Sequence, residues 1–179
     1  RQDIAEAFRR VFWNPSLGCL YDCVNERGAD ATIRPNQLFA VALPHAPVTG
    51  EQGRQVVDVV RRKLLTPFGL RTLPQDAPNY RGHYAGGWFE RDGAYHQGTA
   101  WAWLLGAYVD ALMATAEAPS VARDEAQQLV DAALGNLDDG ALGSINEIFD
   151  GDAPHTPRGC VAQAWSVAEL LRVKRAYEL

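Results

Sequence analysis

The sequence predicts an all-α fold of stacked helical hairpins, and three observations lead to this prediction. Three polar loops each lead into an apolar segment through a turn that combines an arginine or a histidine with a glutamine. The glutamines of these turns, Gln37, Gln97 and Gln163, lie about 60 and about 66 residues apart, which is room for two helices and their loops. The apolar segments alternate with amphipathic ones, as buried inner helices alternate with outer helices. The loops before the inner helices should gather at one end of the stack, where we expect the functional site.

Helical spacing of apolar residues predicts the elements in order. They are residues 4–12, 38–43, 51–65, 99–116, 121–137 and 160–177. Pro35 suits the first turn of the second segment, because its missing N–H has no helical partner there. Thr49 and Gln52 form a capping-box pattern at the third. The fourth is apolar on nearly all sides, whereas the third and fifth are amphipathic. The final helix should turn Val161, Trp165, Ala168, Leu170 and Leu171 inward.

Composition indicates one globular domain over residues 1–179, with 47% hydrophobic and 22% charged residues. The net charge of −5 and the lack of a Lys/Arg cluster argue against nucleic-acid binding. No apolar run is long enough to suggest a membrane span. Cys19, Cys23 and Cys160 lack zinc-site spacing, so we expect buried free thiols and a cytoplasmic location. The chain starts at Arg1 rather than at methionine, so we expect natural sequence to precede it.

The densest aromatic stretch runs from Trp88 to Trp103 and includes His96. Gly87, Gly93 and Gly98 predict that its first part is loop. Aromatic faces beside amide, guanidinium and carboxylate groups suit a sugar, which has apolar C–H faces and a rim of hydroxyls. The alternative for this stretch is a buried aromatic cluster whose polar tips are satisfied internally. The stretch as a whole favours a sugar-binding site.

The third polar loop, over residues 141–159, carries the candidate acid chemistry. Glu147 lies between Ile145 and Ile148, and apolar neighbours make a carboxylate a better general base. The alternative is a solvated surface glutamate. Glycoside hydrolysis normally needs two carboxyls, which lie about 6.5–9.5 Å apart in inverting enzymes. Asp92, Glu147 and Asp150 are the candidates on suitable loops. The four histidines have no paired spacing, so we expect no metal site.

Five runs of the sequence resemble the C-terminal glucosidase domain of glycogen debranching enzymes. They are Ile-Arg-Pro-Asn-Gln at 33–37, Leu-Leu-Thr-Pro-Phe-Gly-Leu-Arg-Thr-Leu at 64–73, Arg-Asp-Gly-Ala-Tyr-His-Gln-Gly-Thr at 91–99, Glu-Ile-Phe-Asp-Gly at 147–151 and Cys-Val-Ala-Gln-Ala-Trp-Ser at 160–166. The resemblance covers nearly the whole chain in the family's order. It implies an (α/α)6 barrel and an inverting amylo-α-1,6-glucosidase that needs no cofactor. Its substrate would be a branched α-glucan, glycogen or a limit dextrin.

The resemblance also implies roles for individual residues. Glu147 looks like the catalytic base. The glucose-binding wall would comprise Arg34, Asn36, Gln37, Tyr80, Tyr84, Arg91, Asp92, Tyr95, His96, Gln97, Trp101 and Asp150. Cys160, Gln163 and Trp165 would position the helix behind Glu147.

The sequence departs from the family in one respect. The family's general acid, an aspartate in a Thr-Trp-Met-Asp-type motif, has no counterpart here and would lie before Arg1. Three hairpins are also about half of six. We therefore expect the chain to be roughly the C-terminal half of the barrel, and we do not expect the isolated chain to release glucose. Exposed inner faces would favour dimerisation, exchange of helices between copies, or marginal stability.

Three other functions remain open on the sequence. A different α/α-toroid glycosidase or a phosphorylase of α-glucosides would differ in its dependence on phosphate. A non-catalytic α-glucan-binding module would tolerate Glu147→Gln. A structural helical-repeat scaffold would show no protection of tryptophan fluorescence by maltodextrins.

Overall fold

Helices form most of the regular structure, and small sheets accompany them. The computed structural model describes residues 2–140 and 142–179, so Ala141, at the start of the predicted third loop, lies outside the described residues. Within that part of the chain there are seven α-helices: α1 (Gln2–Phe12), α2 (Phe39–Ala42), α3 (Gly50–Leu64), α4 (Trp88–Ala94), α5 (Leu104–Thr115), α6 (Pro119–Leu134) and α7 (Ala164–Tyr177). Short 3₁₀ helices cover Pro35–Leu38 and Gly135–Asp138.

The prediction of an all-α fold is wrong, because the loops pair into antiparallel sheets. Two hairpins, β1 (Trp13–Asn14) with β2 (Cys19–Leu20) and β3 (Cys23–Asn25) with β4 (Gly28–Asp30), lie between the first two predicted helical segments, 4–12 and 38–43. A five-stranded sheet has the order β5 (Leu65–Thr66), β6 (Gly69–Arg71), β7 (Ala100–Trp101), β8 (Ile148–Phe149) and β9 (Pro157–Arg158). Converging loops must satisfy their buried N–H and C=O groups, and strand pairing does this.

The five-stranded sheet connects loops that are distant in sequence. Leu70 lies opposite Trp101, and Trp101 lies opposite Ile148 on the next strand. Strand β6 follows α3, β7 precedes α5, and β8 precedes α7. The sequence-based expectation that the loops before the apolar helices meet is therefore confirmed for the second and third loops.

Helix α5 is the centre of the helical part. It packs against α2, α3, α6 and α7, and it buries residues on all sides, from Leu104 and Leu105 to Thr115. Helices α3 and α6 each bury one face, α3 through a run of valines and α6 through small residues such as Ala122 and Ala126. The predicted alternation of fully buried and amphipathic helices is confirmed for these three.

Two helices, α4 and α5, differ in extent from the prediction. Helix α5 begins at Leu104 rather than Thr99, because Ala100 and Trp101 are paired in β7. Residues Trp88–Ala94 form helix α4 where we expected loop, since the break falls at Gly86 and Gly87 and the helix tolerates Gly93. Pro35 does occupy a first turn, of a 3₁₀ helix. Thr49 is the N-cap residue of α3, but its side chain makes no capping hydrogen bond, so the capping box is absent.

Helix α7 contradicts the prediction about its inner side. Of the residues expected to face inward, Leu170 is buried, whereas Trp165, Ala168 and Leu171, together with Val161 just before the helix, are exposed. The buried face of α7 is instead Ser166, Leu170 and Val173. Apolar spacing identified the helix but not which of two apolar stripes meets α5.

The cysteine prediction is only partly right. All three thiols are free, and Cys19 is buried, which raises its pKa. Cys23 and Cys160 are exposed, because they lie on a surface hairpin and on the loop before α7. In the described part of the chain, no helix combines the length and apolarity required to cross a bilayer.

Candidate functional site

A pocket of about 370 Å³ lies beside the sheet, between the loops that lead into α2, α5 and α7. It brings together five residues that the sequence pointed to: Asn36, Tyr95, His96, Trp101 and Glu147. Its lining is completed by Pro35, Thr72, Trp103, Leu104 and Trp165. Aromatic rings make up much of the wall, and the described lining contains one acid, Glu147.

Glu147 is held by three hydrogen-bond donors. Its Oε1 accepts from the Tyr95 hydroxyl at 2.5 Å and from the Gln163 side-chain amide at 3.3 Å. Its Oε2 accepts from the Cys160 backbone N–H at 3.0 Å. A carboxylate offers about four lone-pair positions, so Oε2 can accept a further hydrogen bond from a ligand or a water.

The backbone around Glu147 explains this arrangement. The Glu147 N–H donates to the Cys160 carbonyl at 2.9 Å, and the Gln163 N–H donates to the Ile145 carbonyl at 3.0 Å. Gly159 has a φ of +68°, and a side-chain carbon there would lie 2.5 Å from Glu147 Oε2. A side chain at this position would therefore displace the Glu147 carboxylate. We expected Cys160 and Gln163 to position the helix, and they also bind the carboxylate directly.

Tyr95 stays protonated as a donor to Glu147. Burial raises its pKa well above the ordinary value, and the hydrogen bond to the Glu147 carboxylate raises it further. The Tyr95 ring meets Trp101 edge-on at 4.8 Å between ring centroids. The ring and hydroxyl of Tyr95 therefore connect the aromatic wall to the acid.

His96 and Trp101 form the stacked part of the wall, with ring centroids 5.1 Å apart and planes 11° apart. Burial lowers the pKa of His96, and the positive charge of Arg34 lowers it further. Near neutral pH the imidazole is thus uncharged and can both donate and accept hydrogen bonds. Trp103 stacks on Trp165 at 5.0 Å on another side of the pocket.

Three predicted sugar-binding residues brace the loops instead of lining the pocket. The Arg34 guanidinium donates to the carbonyls of Thr72 and His96 at 2.8 and 2.6 Å and to the Gln97 side-chain oxygen at 3.1 Å. Gln37 is buried, donates to the Arg34 carbonyl and accepts from the Leu20 N–H. Arg34 therefore joins the loops that carry Thr72, His96 and Gln97.

Asp150 and Tyr80 also lie outside the pocket. The Asp150 carboxylate is 2% exposed and accepts hydrogen bonds from the Arg158 guanidinium, at 3.0 Å for the shortest, and from the Tyr84 N–H at 2.8 Å. Burial alone would raise the pKa of Asp150, but the bonds from Arg158 and Tyr84 bring it below the ordinary value. Tyr80 donates to Asp152 at 2.8 Å, and burial together with this carboxylate raises the pKa of Tyr80 to about 12.

A second, smaller pocket of about 130 Å³ adjoins the first. It is lined by Tyr84, Trp88, Arg91, Asp92 and Tyr95, and Tyr95 lines both pockets. The predicted residues thus divide into the first pocket, the second pocket and the bracing network behind them.

Sequence reasoning missed several lining residues. Thr72 and Trp103 lie inside stretches that had been singled out, but no local pattern showed that they face the site. Trp165 was placed behind Glu147, whereas it lines the pocket. Leu104 and Pro35 contribute apolar surface to the pocket, and the sequence does not distinguish such lining residues from residues of the hydrophobic core.

One further pocket does not resemble a site of this kind. A larger pocket, of about 750 Å³, lies between α1 and residues 45–47 and is lined mostly by apolar groups. Within residues 2–140 and 142–179, no three His, Cys, Asp or Glu side chains lie close enough together to hold a metal ion.

Comparison with known proteins gives two findings. The model of the family described as amylo-alpha-1,6-glucosidase matches residues 1–172. The glycogen debranching enzyme of Saccharomyces cerevisiae is 36% identical to this chain over 90 residues, which is 46% of this chain and 6% of the yeast protein. The alignment thus spans a small part of that relative's length.

Proposed function

Because the chain belongs to the amylo-alpha-1,6-glucosidase family, we propose that it forms part of an enzyme that releases glucose from the α-1,6 branch stubs of a glycogen-type glucan. The resemblance of its motifs to glycogen debranching enzymes is confirmed at the level of the family. The observation that carries the proposal is Glu147, held by three donors in an aromatic pocket. A glucosyl unit presents the C–H faces and hydroxyls that such a pocket accommodates.

Glu147 would act as the general base of an inverting hydrolysis. A water hydrogen-bonded to Oε2 attacks the anomeric carbon and gives its proton to the carboxylate. The bond from that carbon to the O6 oxygen of the neighbouring sugar breaks, and this oxygen takes a proton from a general acid. Tyr95 and Gln163 occupy Oε1, whereas Oε2 accepts one hydrogen bond, from the Cys160 N–H, and keeps a lone pair for the water.

The general acid must come from elsewhere than the described lining of the pocket. Asp150 is held ionised by Arg158, so it has no proton to give near neutral pH. Asp92 lines the neighbouring pocket instead. We therefore propose that a segment outside residues 1–179 supplies the acid, and that this chain forms roughly the C-terminal half of an (α/α)6 barrel. The central position of α5 between α3, α6 and α7 supports a layered helical arrangement of this kind.

Two further proposals follow. The inverting reaction needs no cofactor, because water, base and acid are sufficient for it. Three free cysteines, two of them exposed, suit a reducing compartment, and we propose the cytoplasm.

The test is glucose release from a phosphorylase-limit dextrin by the full-length protein, its Glu147→Gln variant and the isolated chain. We expect Glu147→Gln to lower the rate at least about 100-fold, because loss of a general base typically has an effect of this size. We expect the isolated chain to release no glucose. Glu6→Gln, on the exposed surface of α1, is the matched control and should keep full activity.

Other outcomes would change the proposal in defined ways. Activity in the isolated chain would place the acid within it and make Asp92 the next residue to substitute. Activity that requires phosphate would indicate a phosphorylase.

The single acid in the described pocket lining favours a second candidate, a non-catalytic α-glucan-binding module. Undiminished affinity together with full function in Glu147→Gln would support that candidate.

A further inference from the structure

We infer that the pocket formed by Trp88, Arg91 and Asp92 is a second sugar subsite, which binds the glucosyl unit that carries the branch. This inference rests on the proposed function, in which the released glucosyl unit occupies the pocket of Glu147. It adds Trp88, to which no role has been assigned, and gives Arg91 and Asp92 a different sugar from the one bound beside Glu147.

The two pockets are adjacent. Tyr95 lines both, and the Tyr84 ring lies 5.8 Å from the Tyr95 ring on the side of the second pocket. An oligosaccharide that passes Tyr95 would therefore place one unit beside Glu147 and the next beside Trp88. A branch stub has this form, one glucosyl unit joined to a unit of the main chain.

The second pocket offers free binding groups. Trp88 is 75% exposed, and its ring stacks on no other aromatic ring of residues 2–140 and 142–179. The Asp92 carboxylate accepts no hydrogen bond within the same residues, and the Arg91 guanidinium makes one long bond, 3.5 Å, to the Gly86 carbonyl. An exposed indole face beside an unsatisfied acceptor and unsatisfied donors has the requirements for binding a sugar.

The charge of this pocket selects against ionic ligands. Arg91 and Asp92 are adjacent and opposite in sign, so neither an anion nor a cation gains a net attraction. A neutral ligand with many hydroxyls can accept from Arg91 and donate to Asp92 at the same time. A sugar meets both conditions.

Local structure explains why these three side chains share one face. Helix α4 begins at Trp88, after Gly86 with its φ of +90° and Gly87. Arg91 and Asp92 follow Trp88 by three and four positions, which places them over the same side of the helix. Phe89 is 75% exposed like Trp88 but does not line the pocket, so it is a matched control on the same helix.

The experiment is calorimetric binding of panose, a trisaccharide with an α-1,6-linked glucosyl unit on maltose, and of glucose alone. The full-length protein would carry Glu147→Gln, which slows turnover, with or without Trp88→Ala or Phe89→Ala. We expect Trp88→Ala to weaken panose binding about tenfold, and to weaken glucose binding far less, because glucose alone occupies the pocket of Glu147. Phe89→Ala should bind both sugars as the parent does. Asp92→Asn is a second variant of the same subsite, with the same expected selectivity.

The outcomes separate this inference from the proposed function. Equal weakening of panose and glucose in Trp88→Ala, or a loss of the same size in Phe89→Ala, would overturn the subsite. Selective loss of panose binding, combined with a full-length protein that releases no glucose from limit dextrin, would retain the subsite and reject the glucosidase. Thermal unfolding of each variant checks that the fold is unchanged.

Discussion

Glu147 receives its hydrogen bonds from two separate parts of the chain. Tyr95 follows α4, whereas Cys160 and Gln163 immediately precede α7. Groups held in place before a ligand arrives need no reorganisation during reaction, which is the main advantage of a folded active site over solution. The orientation of this one carboxylate therefore depends on the beginning of α7 and the end of α4.

Asp150, a second individual carboxylate, should contribute to the stability of the fold in a way that depends on pH. Asp150→Asn removes an ion pair whose carboxylate is buried and whose arginine is partly exposed, so we expect the free energy of unfolding to fall by about 1–3 kcal/mol at pH 7. The folded-state pKa of Asp150 lies below its ordinary value of 3.8. Its contribution is thus complete above pH 3.8 and is lost as the pH falls through the folded-state pKa.

Urea unfolding of the wild type and of Asp150→Asn at pH 7 and in acid measures this effect. The difference between the two proteins should narrow in acid. Asp124→Asn, an exposed residue on α6, is the control and should unfold like the wild type at both pH values. A difference that stays constant with pH would show that the Asp150 carboxylate is not the source.

Sequence reasoning could find the chemical groups of the site better than their roles. Glu147 stood out because apolar residues surround it in the sequence, and the structure places it in a pocket. Asp150 also carries a carboxylate and Gln37 a polar amide, yet the sequence does not show that their partners within the fold are Arg158 and Leu20. Whether a polar side chain meets a ligand or another part of the chain is decided by tertiary contacts.

Among the elements, strand β7 determines where α5 begins. Two residues, Ala100 and Trp101, pair with β6 on one side and β8 on the other, and the helix can begin only after them. Strands this short leave no periodic pattern of apolar residues, so the sequence-based prediction placed the start of the helix too early, at Thr99. The apolar core of the helix itself was predicted correctly, because its pattern is long.

Close approach of β6 to β7 gives a prediction about Gly69. A side-chain carbon there would lie 2.5 Å from the Trp101 carbonyl carbon and 2.9 Å from the Ala102 nitrogen, both backbone atoms that cannot move freely. We expect Gly69→Ala to separate the strands and lower the free energy of unfolding by about 1–3 kcal/mol, measured in urea. Gly135→Ala is the control, because open space surrounds that position, and should be neutral or slightly stabilising. Equal stability of the two variants would refute the steric argument.

Over the whole molecule, the exposed side of α7 is the largest departure from the sequence-based picture. Val161, Trp165 and Leu171 are apolar, and the structure leaves them open to solvent. Periodicity predicts that an apolar stripe will be covered, but it cannot say whether the cover belongs to the same chain. The half-barrel with unpartnered helix faces therefore stays a prediction. The exposed apolar residues of this surface allow it to be tested.

The isolated chain should therefore associate with itself, since in a pure solution a second copy is the only protein available to cover α7. We expect sedimentation velocity to show a dimer or larger species whose fraction rises with concentration. Leu171→Glu should reduce that fraction, because it places a charge on the exposed stripe. Val121→Glu is the matched control, since Val121 is 63% exposed and Leu171 60%. A monomer at all concentrations would contradict the prediction.

The five-stranded sheet also has a consequence for the order in which parts of the chain fold. Its strands come from residues 65–71, 100–101 and 148–158, so pairing must wait until distant parts of the chain have met. Helices α3, α5 and α6 need mainly local contacts and can form earlier. We therefore expect the pocket beside Glu147 to form late in folding. Its loops rest on short strands rather than on long helices, so we expect them to be among the first parts of the molecule to open under mild stress.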